Sequence, residues 1–199
     1  MHIDLLLTAL LLAFLPGPGA IYTLSAATSS GLRAGLPAAA GCAAGALPYF
    51  ALSTAPTAGA AFAHPAVTGA LTGAGVLYLV YLAVRTWRTG QERLSPSVRD
   101  DQRMWRRVGQ GAVVNLLNPK LSLVFFVLLP GSAGDTGPAG AALGAAFVGV
   151  ILVAYVLYAV AGSFLGRGLV KNAKSRTWAS RVFASTYALL AARLAFSFA

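Results

Sequence analysis

The sequence predicts an all-α integral membrane protein whose six transmembrane helices form two inverted three-helix repeats, with helices 1 and 4 broken. Three observations carry this prediction. Hydrophobic residues make up 57% of the 199 residues and charged residues only 10%, whereas soluble domains carry about 25% charged residues. Six apolar stretches are long enough to cross a hydrocarbon core of about 30 Å, which takes roughly 20 helical residues. Lysines and arginines gather in alternate connections between those stretches.

The stretches cover residues 3–28, 36–61, 67–87, 108–129, 139–165 and 178–198. They do not alternate apolar with polar residues, which excludes a transmembrane barrel. The first could pass for a signal peptide, but it has Asp4 in place of an early Lys or Arg and runs past the length of a leader. It is therefore expected to be retained as a helix. Abundant Gly and Ala fit close packing between membrane helices.

Orientation follows from the cations. Arg33 follows the first hairpin helix. Arg88, Arg93, Arg99, Arg103, Arg106 and Arg107 follow the third stretch, and Arg167, Lys171, Lys174 and Arg176 the fifth. The His64–Pro65 turn and segment 130–138 have none. The positive-inside rule then places the basic connections in the cytoplasm and both termini outside a bacterial-type cytoplasmic membrane. Trp87, Trp105 and Trp178 fall at the same cytoplasmic ends, where indoles favour the interface.

The organisation expected is one domain over 1–199. Repeat one covers about 3–88, a basic cytoplasmic loop about 89–107, and repeat two about 108–199. An odd number of helices per repeat forces the two into opposite orientations, as in inverted-repeat carriers. Helix 3 ends in Tyr78 and Arg85, and helix 6 in Tyr187 and Arg193, a faint internal likeness.

Helix 1 is interrupted by Pro16, Gly17, Pro18 and Gly19, and helix 4 by Asn115-Leu-Leu-Asn118-Pro119-Lys120. Proline removes a backbone donor and clashes with the preceding turn, so both helices should unwind there. Freed backbone groups cost several kcal/mol each in lipid and persist only where protein or a cavity satisfies them. Matched breaks in two halves therefore point to a central binding site.

Lys120 is the most informative residue. Counted from residue 108, it falls about 18 Å along its helix, near the bilayer middle. A cation there costs about 2.5–3.5 kcal/mol even on the lenient insertion scale. No Asp or Glu lies inside a predicted span, since Asp4 and Asp135 sit at outer edges. Asn115, Asn118, freed carbonyls and a substrate carboxylate are the candidate partners of Lys120. A strongly basic substrate would find only neutral dipoles. Burial penalises a charged lysine, so Lys120 is also a candidate carrier of a coupling proton.

The candidate substrate-binding residues are thus Pro16, Gly17, Pro18, Gly19, Tyr22, Asn115, Asn118, Pro119 and Lys120. Tyr22, just past the first break, either donates a hydrogen bond or packs, with packing favoured. Gly41 with Gly45, and Gly69 with Gly73, have the spacing of close helix contacts. Cys42 reads as a small packing residue, and a single cysteine permits no internal disulfide.

Other chemistries find no support. The net charge of +10 lies between apolar runs rather than on a soluble basic face, which argues against nucleic acid. No phosphate loop ending in Lys-Ser/Thr is present, and His2 and His64 lack metal-ligand spacing. No cofactor, metal or catalytic set is expected, so the chain does not read as an enzyme.

These residues resemble the LysE/RhtB family of amino-acid exporters. The matching elements are Leu15-Pro-Gly-Pro18, Gly31-Leu-Arg-Ala-Gly35 followed by Gly41 and Gly45, and Gly75-Val-Leu-Tyr-Leu-Val-Tyr-Leu82. Gly111-Ala-Val-Val-Asn-Leu-Leu-Asn-Pro-Lys120 and Phe125-Phe-Val-Leu-Leu-Pro130 complete the set. The resemblance implies six-helix carriers that export amino acids or related small metabolites on an ion gradient. Pro16, Gly17 and Pro18 match the first signature, and Asn118, Pro119 and Lys120 the second. Ala46 stands where many members have a polar or acidic residue, and Pro130-Gly-Ser132 where Pro-Gln-Phe is usual.

The partners expected are a small-molecule substrate, anionic lipids at the cytoplasmic face and a second copy of the chain in a homodimer. A different class stays open: a membrane scaffold acting through its basic loop, a segment that also suits anionic head groups.

Overall fold

The computed structural model describes residues 3–54, 64–89, 100–118, 120–121, 124–128, 138–169 and 173–196. Every regular element among them is helical. Helix α1 spans Ile3–Phe14, α2 Pro18–Ser30, α3 Leu32–Ala44 and α4 Leu47–Ser53. Helix α5 spans Pro65–Thr89 and α6 Asp100–Leu116, and a short π-helical segment covers Val124–Leu128. Helices α7 (Pro138–Leu169) and α8 (Ala173–Phe196) complete the chain.

Among the described residues, four stretches are long and apolar enough to cross a membrane: Leu10–Ser30, Leu32–Ser53, Pro65–Arg88 and Gly140–Arg167. The expected fourth stretch is divided, since α6 stops at Leu116. The sixth corresponds to α8, whose 24 residues include Lys174, Arg176, Arg181 and Arg193. The chain is a multi-pass, membrane-spanning helical protein. Large apolar side chains face outward, among them Leu11, Leu77, Leu157 and Leu189, while Thr23, Asn115 and Asn118 are buried. That distribution suits lipid as the surrounding solvent.

The break in the first stretch forms where expected. Chain after Phe14 leaves the helix, and Pro18 restarts it as the first residue of α2, a position where its missing donor would be unpaired in any case. A sharper reversal separates α2 from α3 at Gly31, whose φ of 72° is strained for any residue with a Cβ. The second stretch also turns at Gly45 and Ala46, an interruption the sequence reading did not foresee.

One boundary differs from expectation. Residues 100–107, read as part of the basic loop, form the first two turns of α6. Met104 and Trp105 are the apolar residues of those turns, and both are exposed. Counting helical rise from residue 108 therefore starts inside the helix and does not fix the depth of Lys120. Of the loop cations, Arg93, Arg99 and Lys171 lie outside the described residues, as does segment 130–137.

Helix packing brings the two halves of the chain together. Helix α2 lies along α7, α3 along both α6 and α7, and α5 along α8. Positions near Gly41, Gly45 and Tyr49 meet Val108, Ala112 and Leu116 in step, so α3–α4 and α6 run parallel. Gly19 meets Tyr155, and Leu24 and Thr28 meet Gly162 and Gly166, so α2 and α7 also run parallel. Gly75 lies near Leu194, and Ser180 donates a hydrogen bond to the Thr86 carbonyl, which makes α5 and α8 antiparallel.

The expected contact at Gly41 and Gly45 is present. A Cβ on either would collide with the α6 backbone at Val108 or Ala112. The matching expectation for Gly69 and Gly73 is not met, because no described atom lies within 4 Å of a Cβ built there. Among the described residues nothing packs on that face of α5, so the spacing alone does not make a contact.

Candidate functional site

In an uninterrupted helix the N–H of residue 16 would serve the Leu12 carbonyl, and that of residue 18 the Phe14 carbonyl. Both positions are proline, so both carbonyls lose that donor, and Leu12 O keeps only a long local bond from Leu15 N at 3.3 Å. The structure supplies other donors from distant helices. Lys120 Nζ donates to Leu12 O at 2.6 Å and to Leu15 O at 3.0 Å. The Tyr158 hydroxyl donates to Phe14 O at 2.7 Å. The last carbonyls of a helix carry its partial negative charge, so an ammonium group at this end is electrostatically favoured.

Lys120 reaches this place because the second break turns its chain. Helix α6 ends at Leu116, Leu117 is a turn, and Asn118 N donates to Asn115 O at 3.1 Å. Asn118 Oδ1 accepts the backbone N–H of Lys120 at 3.1 Å, and Leu121 N donates to Asn118 O at 3.0 Å. Pro119 lies outside the described residues.

Asn115, fully buried, ties three stretches together. Its Nδ2 donates to Cys42 O at 2.6 Å, and its Oδ1 accepts from Tyr155 at 2.9 Å and from Asn118 Nδ2 at 3.2 Å. An amide has two donors and two acceptor sites, so this residue is close to fully engaged. Cys42 Sγ donates weakly to Gly19 O at 3.6 Å and accepts from Thr23 Oγ1 at 3.7 Å, in addition to packing as expected.

The glycines leave space for these side chains. A Cβ on Gly19 would stand 2.7 Å from the Tyr155 hydroxyl and 3.0 Å from Asn115 Oδ1. One on Gly17 would stand 3.6 Å from Lys120 Nζ and 3.9 Å from Asn118 Nδ2. Pro16 is exposed and Gly17 half-buried, so the Lys120 ammonium lies near the molecular surface rather than sealed in.

Of the residues singled out in the sequence, Gly17, Gly19, Asn115, Asn118 and Lys120 come together, with Pro16 and Pro18 freeing the carbonyls. Tyr22 does not join them. Its hydroxyl donates to Arg107 O and Gln110 Oε1, each at 3.2 Å, more than a turn away toward the basic end. It makes hydrogen bonds rather than packing alone. Tyr155 and Tyr158 were not anticipated. Their only signal was a pair of hydroxyls three residues apart, on one face of an otherwise apolar helix.

The site thus offers a cation, the carbonyl end of α1 and the amide end of α2 across a single gap in the chain. No solved structure matches the chain. The family model for LysE type translocators matches residues 10–198, a range that includes both breaks and both tyrosines. The chain belongs to the LysE type translocator family.

Proposed function

We propose that the protein is a secondary active exporter of neutral amino acids or related small metabolites, driven by an ion gradient across the cytoplasmic membrane. The observation that carries this reading is Lys120, a cation held by two carbonyls of a broken membrane helix. The five acidic residues of the chain, Asp4, Glu92, Asp100, Asp101 and Asp135, all fall outside the two break segments. A substrate carboxylate is therefore the natural anion for Lys120. The first N–H groups of α2 face the same gap and favour negative charge. Membership of a translocator family supports transport over a scaffold role.

In this reading the divided fourth stretch and α8 also cross the membrane, giving six crossings in two inverted repeats. The packing supports it. Exchanging helix 1 with 4 and 2 with 5 turns the parallel α2–α7 pair into the parallel α3–α6 pair, and the antiparallel α5–α8 pair maps onto itself. With the basic ends in the cytoplasm, both termini lie outside. The side chains of Trp87, Trp105 and Trp178 are exposed at those ends, where they and the neighbouring cations suit anionic head groups.

Efflux from cells loaded with a panel of dipeptides tests this reading, comparing empty vector, wild type and Lys120→Ala. Faster release of at least one neutral amino acid by wild type alone is expected. Equal release from all three strains, with the protein present in the membrane, would refute it.

A further inference from the structure

The carbonyl end of α1 already holds an ammonium group, and that group belongs to the protein. Leu12 O and Leu15 O accept from Lys120 Nζ at 2.6 and 3.0 Å, and Phe14 O lies in the same turn under the Tyr158 hydroxyl. Three carbonyls within four residues, two of them denied their regular helical donor by proline and Leu12 O left with a long bond from Leu15 N at 3.3 Å, form a receptor for a primary ammonium. Because Pro16 is exposed and Gly17 has no side chain, a small molecule can approach the group from the gap.

We infer that these carbonyls are the subsite for the α-ammonium of the substrate, and that Lys120 occupies it as a tethered stand-in while the carrier is empty. This deepens the proposed function and rests on it. On binding, the substrate ammonium takes the Leu12 and Leu15 carbonyls, and Lys120 Nζ turns away from them onto the substrate carboxylate. Gly17 allows that turn, since even a Cβ there would stand 3.6 Å from Nζ. The number of charges in the gap stays balanced: one protein cation meets one substrate anion, and one substrate cation meets the helix end. The substrate class that fits is an amino acid with both α-groups free. Its N-acetyl derivative loses the ammonium, and its 2-hydroxy analogue keeps the shape but not the charge.

The test uses the full chain in liposomes preloaded with unlabelled leucine, threonine or alanine. Each amino acid is compared with its N-acetyl derivative and with the 2-hydroxy acid of the same side chain as external competitor of labelled uptake. Wild type is expected to need at least tenfold more of either analogue than of the amino acid for half-inhibition. Pro16→Ala restores the donor to Leu12 O, and the ratio between amino acid and 2-hydroxy acid should shrink by threefold or more. Competition by the 2-hydroxy acid equal to that of the amino acid would overturn the ammonium subsite. Provided Lys120→Ala still abolishes uptake, the carboxylate role of Lys120 would survive that result. An unchanged ratio in Pro16→Ala would overturn the subsite too. No uptake of any of the three amino acids by wild type would overturn the inference together with the function on which it rests.

Discussion

At the first break the carbonyls of Leu12, Phe14 and Leu15 take hydrogen bonds from the Lys120 and Tyr158 side chains, and only Leu12 O keeps a long local one from Leu15 N. At the second, much of the capping is local: Asn118 uses its backbone and its side chain to satisfy Asn115, Lys120 and Leu121, while Tyr49 of α4 donates to the Leu116 carbonyl. Asparagine can do this because its short amide reaches neighbouring backbone groups, whereas Pro-Gly-Pro-Gly has no side-chain donor to offer. The second break, capped by Asn118 and tied to α3, α4 and α7 through Asn115 and Leu116, is therefore a fixed platform that holds out Lys120. The open break depends on donors that can leave. A pair built this way can exchange partners at one end without unwinding the other, which is what a binding site between two halves of a carrier requires.

The sharpest way to break the comparison is to remove the donor that links the two breaks. Lys120→Ala leaves two helix-end carbonyls without their cation and the proposed substrate anion without its partner. Hydrogen bonds to a charged group contribute about 1.5–3 kcal/mol, so transport in liposomes should fall by about tenfold or more. A smaller effect is expected where only packing is disturbed. Gly41→Ala forces a Cβ into the Val108 backbone, and overpacking of this kind costs about 1–3 kcal/mol. It should lower the melting temperature of the purified protein.

Removing single hydroxyls sharpens the contrast further. Tyr158→Phe deprives Phe14 O at the open break, and Tyr155→Phe deprives Asn115 Oδ1, which retains Asn118 Nδ2 as a donor. The Phe14 bond is exposed and the Asn115 bond buried, and the loss of a buried bond costs about 1–3 kcal/mol. Tyr155→Phe should therefore lower the melting temperature more, whereas Tyr158→Phe, which acts at the open break, should slow transport more, measured side by side at equal incorporation. The smallest effect belongs to Gly69→Ala and Gly73→Ala, which face open space. Stability should stay within about 0.5 kcal/mol of wild type, as read by thermal unfolding.

Both breaks and Lys120 were legible in the sequence, because proline chemistry and the cost of a cation in lipid are local properties. The tyrosines were not. Tyr155 and Tyr158 sit in an apolar helix with no strongly polar face, and only the rotation of α7 against α1 and α2 turns their hydroxyls toward Asn115 and Phe14. The same limit explains the glycines. Gly41 with Gly45 and Gly69 with Gly73 share one spacing, yet among the described residues only the first pair has a helix against it. Tyr22 was placed near the break by its position in sequence, but the turn of α2 carries it toward Gln110 instead. The helical start of α6 at Asp100 was missed because residues 100–107 carry only two apolar residues, Met104 and Trp105, too few to show a helical period.

The most direct measurement is amino-acid counterflow in liposomes by wild type, Lys120→Ala and Gly73→Ala, each at equal incorporation. If Lys120 of the second break serves the open end of the first as the transport site, Lys120→Ala falls to the rate of empty liposomes and Gly73→Ala matches wild type. Counterflow by Lys120→Ala at the wild-type rate would contradict the account.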